Sequence, residues 1–98
     1  MSKTEVKLPG EDLVKKGLKD LSEGHSSPAA LLVLIGAPRL RRLGILISTK
    51  NKPPLHPEHA LYQTLQIENP KGVHSRYNAF IRRLISYERA LEQIHRRA

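Results

Sequence analysis

Cysteine is absent from the 98 residues, so neither disulfides nor thiolate metal sites can hold this chain together. Tryptophan is absent too, and three Tyr and one Phe are the whole aromatic complement. Burial must therefore come from Leu, Ile, Val and Ala. The longest unbroken apolar run, Ala29 to Ile35, is far short of the ~20 residues that cross a bilayer. The opening stretch, Met1 to Lys7, has no apolar centre of the kind a secretory leader needs. These absences lead to the expectation of a cytoplasmic protein that does not enter membranes. No glycine-rich phosphate loop occurs, and no Ser or acid stands in a context that suggests activation. The expectation is accordingly a protein that is not an enzyme and needs no cofactor.

What is present is charge, unevenly spread. The formal net charge is +8. Residues 1–23 cancel, with five Lys against five acids. Residues 24–57 carry Arg39, Arg41, Arg42, Lys50 and Lys52 and no acid at all. A second basic block follows residue 69, where Lys71 and six Arg face only Glu88 and Glu92. Such blocks suit nucleic acid or an acidic protein, and equally an ordinary solvated surface.

Proline and glycine divide the chain. Pro9, Pro28, Pro38, Pro57 and Pro70 each precede a stretch that can be helical, where a missing N–H costs nothing. Gly24, Gly36 and Gly44 stand where three such stretches would end. The pattern predicts an all-α, single-domain bundle of about five helices over residues 1–98. The first helix runs from Gly10 to Glu23, with Leu13, Val14, Leu18 and Leu21 on one face. Gly17 interrupts it, at about 1 kcal/mol against Ala unless another backbone comes close. Ser27 is the N-cap candidate for the second helix, whose core Ala29–Ile35 is apolar all round and so belongs at the centre. After the expected stop at Gly36, a short basic helix spans Arg39–Leu43, with Leu40 and Leu43 inward. Residues 45–47 connect it to a polar loop, 48–55, expected to be mobile, as is a tail at 1–8. A fourth helix begins at His56-Pro57 and buries Leu61 and Leu65. Asn69 and Pro70 open the last.

That last helix is the most regular element. Val73, Tyr77, Phe80, Leu84, Tyr87, Leu91 and Ile94 recur at steps of four and three. Ile81 and Ile85 widen the stripe in the first half; Glu88 and Glu92 replace them in the second. The narrowed seam resembles a helix–helix interface, and about 25 residues at 1.5 Å each would let its end project from a small domain. The functional reading is a non-catalytic helical interaction module that binds another protein, or itself, through Tyr87, Glu88, Leu91 and Ile94. The alternative is nucleic-acid binding. There, residues 28–43 would form a helix-turn-helix, and Arg39, Arg41, Arg42, Arg82, Arg83, Arg89 and Arg96 would make the contacts.

His56, Glu58 and His59 cluster at a helix start, but two histidines three apart without a third ligand do not make a metal site. Asp12, Asp20 and Glu92 read as helix-surface charges, with Glu92 placed to support Arg96. Glu88 does not read that way, because helical geometry sets it between Ile81, Leu84 and Leu91. It must lie on an exposed edge, or be protonated, or pair, either with an arginine of the 39–42 block or with Arg83 of a second chain.

Overall fold

The computed structural model describes residues 8–97, and the expected tail lies outside these except for Leu8. Among the described residues there are four α-helices, one short 3-10 turn and no strand. They are α1 (Glu11–Glu23), α2 (Pro28–Arg42), α3 (Pro57–Glu68) and α4 (Val73–Arg97), with the 3-10 turn Pro70–Gly72 leading into α4.

Helix α1 starts as its first turn suggests, with the Leu8 N–H donating to Glu11 Oε1 at 2.8 Å. It ends at Gly24, whose φ of +85° lets the His25 N–H reach back to the Asp20 carbonyl at 2.8 Å. Gly17 lies where α1 meets α2. A side chain there would overlap the Ala29 carbonyl and come within 2.5 Å of Val33 Cγ2. The glycine is thus the condition for close packing of the two helices.

Helix α2 is the centre of the molecule and touches each of the other three helices. Ala30, Leu32, Val33 and Leu40 are wholly enclosed. Ser27 caps it as expected, its Oγ accepting from the Ala30 N–H at 3.1 Å. Two of the expected five helices, however, are one. The chain does not stop at Gly36, and Pro38 sits inside a continuous helix that ends at Arg42. Pro38 forfeits a hydrogen bond to the carbonyl four residues back, but its ring points outward and is exposed. Gly36 serves proximity instead of termination: its missing side chain leaves room for Leu84 and Glu88 of α4. The true stop is Gly44, at φ +93°, with the Ile45 N–H returning to the Leu40 carbonyl at 3.0 Å.

From Ile45 the chain crosses to α3 without regular structure, with Ile45 and Ile47 against the core and Leu46 outward. The loop expected to be mobile is tied twice to the end of α1. The Lys50 N–H donates to the Leu21 carbonyl at 3.0 Å, and Asn51 Nδ2 to the Gly24 carbonyl at 3.0 Å. Helix α3 buries Leu61 and Leu65, as its spacing predicts. Tyr62 meets Tyr77 edge to face at 5.5 Å, joining α3 to α4. Asn69 contributes its backbone to the turn but no side-chain cap.

The 25 residues of α4 cover about 38 Å, close to the 41 Å long axis of the molecule. The helix spans the body more than it projects from it. Leu91 still packs on the core, and His95 lies over Gly44 at the end of α2. Only the last turn is left open, with Ile94 half exposed. The described residues contain no helix long and apolar enough to cross a membrane.

Candidate functional site

The second half of α2 and the middle of α4 run side by side in the same direction. Gly36 meets Leu84 and Glu88, Arg39 meets Glu88 and Glu92, and Gly44 meets His95, each contact one or two turns further along both helices. On the outer side of this pair lies an open groove of about 340 Å³. Ile35, Gly36 and Pro38 form one wall and Ile81, Leu84 and Ile85 the other. The sequence dictates both walls. Ile81 and Ile85 are the residues that broaden the α4 stripe, and α2 has an apolar residue to offer at Ile35 because it is apolar all round. Ile85 is left 36% exposed at the rim. Leu46, Leu55 and Ile67 are more exposed, but none of them lines this groove.

Polar residues close one end. Glu88 is buried, at 5% exposure. Arg39 Nη1 lies 3.5 Å from Glu88 Oε1, and Arg39 Nη2 donates to Glu92 Oε1 at 2.9 Å. Glu88 is not on an exposed edge, and the partner it meets is Arg39 of the 39–42 block. Burial pushes the Glu88 carboxyl up from its ordinary value, and the Arg39 guanidinium pulls it part of the way back. Glu92 serves Arg39, not Arg96 as expected. Arg42 also lines the groove.

The residues expected to form a single interface are separated by this packing. Tyr87 and Glu88 are enclosed within the chain, Leu91 is half-buried, and Ile94 alone is open. The helix-turn-helix geometry is also absent, because residues 28–42 form one helix with no turn at 36–38. Arg41, Arg42, Arg82, Arg83, Arg89 and Arg96 are exposed and form no ion pair among the described residues, whereas Arg39 is engaged by two carboxylates. His56, Glu58 and His59 are exposed at the start of α3.

Asp20 is the polar residue that the sequence reading missed. It is only 8% exposed. Its Oδ2 accepts from the Ser27 hydroxyl at 2.5 Å and from Lys16 Nζ at 2.9 Å. These bonds hold its carboxyl below the ordinary aspartate range. The available signal was a strong N-cap seven residues on, at Ser27-Pro28, with Lys16 one turn before.

Asp20 and Glu88 have opposite effects on stability against pH. A carboxyl lowered in the folded state stabilises above its ordinary value, and that contribution is lost as pH falls through the folded value. A raised carboxyl does the reverse: stability falls as pH rises from the ordinary glutamate value through the folded one. Asp20→Asn is expected to cost about 1 kcal/mol at pH 7 and to reduce acid sensitivity below the ordinary aspartate value. Glu88→Gln is expected to stay within about 1 kcal/mol of the unaltered protein at pH 7, because Arg39 keeps Glu92 and is partly solvated. It should also remove a fall in stability above the ordinary glutamate value. Urea titrations of both variants from pH 3 to pH 8 read the two slopes directly.

Comparison with known protein families, characterised proteins and solved structures gives no match to this chain.

Proposed function

We propose that this chain is a non-catalytic, cytoplasmic helical module that binds another protein, and that the groove between α2 and α4 is its docking surface. The observation that carries the reading is that groove, an apolar channel bounded by parallel helices with Ile85 at its rim. Concave apolar surface with a few fixed polar groups is the usual form of a binding site. The one buried charged group at the groove, Glu88, faces the Arg39 guanidinium, so no unpaired buried charge opposes an apolar guest. The surface differs from the seam expected at the end of α4, although both belong to the same helix.

A photo-crosslinking residue placed at position 85, and separately at the exposed Ile67, tests this in the cells that make the protein. The expected result is a discrete adduct from position 85, stable to nuclease and to high salt, and none from position 67. An adduct removed by nuclease would favour the nucleic-acid reading, with the free arginines as contacts. Equal adducts from the two positions, or none, would remove the groove as the docking surface.

A further inference from the structure

On the reading that the α2–α4 groove docks a protein, we infer that its occupant is an amphipathic helix with acidic flanks, supplied by a different protein. Length is the first argument. The groove is lined from Ile35 to Arg42 on α2 and from Ile81 to Glu88 on α4, about 11 Å of axis on each. Three apolar anchors at i, i+4 and i+7 of a guest helix span about the same distance. The walls are themselves helices, and no strand occurs among the described residues to offer a sheet edge. A third helix laid along two parallel ones completes a bundle layer in the ordinary way.

Charge selects the flanks. Arg42 lines one wall and forms no ion pair among the described residues. On the other wall, Arg82 and Arg89 stand three residues before and four after Ile85, which puts them on its outer shoulder. Both are exposed and likewise without an ion pair among the described residues. The two acids nearby, Glu88 and Glu92, are occupied by Arg39. The groove is therefore apolar along its floor, with Arg42 at the edge of one wall and Arg82 and Arg89 just outside the other, beside Ile85. A guest with Asp or Glu beside its apolar stripe gains charge-assisted bonds at those edges. A second copy of this chain would set the same arginines against each other in a two-fold contact, within a chain of net charge +8.

The test uses a random peptide library displayed on phage and selected against the full chain at low salt. Enriched peptides are expected to be net acidic, with three apolar residues at helical spacing. Their affinity should fall at least about tenfold for Ile85→Glu and about tenfold for Arg42→Glu. The second loss should shrink as salt rises. Ile67→Glu should bind as the unaltered chain does. Circular dichroism checks each fold, and Ile85→Ser replaces Ile85→Glu if the charged variant does not fold. Enrichment of basic peptides, or of acidic peptides without an apolar stripe, would overturn the inference. So would a dimer of the unaltered chain that Ile85→Glu dissociates, although docking at the groove would then stand. If no peptide and no self-association depends on residue 85, the docking reading itself fails.

Discussion

Leu84→Ala is expected to cost about 2–5 kcal/mol, a large part of the roughly 5–15 kcal/mol that stabilises a domain of this size. Leu84 is buried and lies directly against Gly36 of α2. Its two methyl groups fill the space beside Gly36, at 2.9 and 3.0 Å from where a Cβ would stand. Truncation removes those contacts and leaves a cavity between the two helices. Leu91→Ala should cost clearly less, because that side chain is half-buried. The cause is separable from general core loss by a second substitution. Gly36→Ala alone should destabilise by crowding both Leu84 and Glu88 Oε2, whereas in the Leu84→Ala background only the Glu88 contact, at 2.9 Å, remains. The double variant should then be more stable than the sum of the singles predicts, as a coupling energy in a urea-denaturation cycle.

Gly17→Ala should destabilise by about 1–3 kcal/mol, against the sign that helix propensity gives. In an exposed helix interior the same change would gain about 1 kcal/mol. Here the added methyl would overlap the Ala29 carbonyl, which belongs to the first turn of α2 and has no soft end to yield. Helices α1 and α2 would have to separate along a contact that also carries the Ser27–Asp20 bond. A lower urea midpoint with an unchanged slope would show this loss. An increase in stability would mean that the helices are not so close.

Much of the architecture was readable from local signals. Ser27-Pro28 started α2 and Gly24 and Gly44 stopped α1 and α2, because a cap or a left-handed turn depends on residues adjacent in sequence. The α4 stripe was legible for the same reason: one helix face is a local property. Gly36 and Pro38 are ambiguous in the sequence because each supports two meanings. A glycine marks either a helix end or a close neighbour, and the neighbour here, Leu84, is distant in sequence. With that contact in place, α2 packs well enough to carry a proline whose ring faces outward. Glu88 could be flagged by its position on the stripe, yet its partner could only be narrowed to the acid-free block. Choosing Arg39 required the parallel course of α2 and α4. The groove itself was not foreseeable, since its walls come from two helices whose relative placement no single segment encodes. Ile81 and Ile85 were visible as a widened face, but how much of that face α2 leaves uncovered was not.

Where a partner touches the molecule decides whether the α2–α4 groove is a docking surface, and isoleucine methyl NMR reads this directly. The chain has seven isoleucines, at 35, 45, 47, 67, 81, 85 and 94, and they fall on separate surfaces. Ile35, Ile81 and Ile85 line the groove. Ile45 and Ile47 pack on the core beyond it, while Ile67 and Ile94 are exposed elsewhere. Titrating the methyl-labelled protein with a selected acidic helical peptide should shift the signals of Ile35, Ile81 and Ile85. The signals of Ile67 and Ile45 should stay in place. Shifts confined to Ile67 or Ile94, with the three groove methyls unmoved, would contradict docking at the groove.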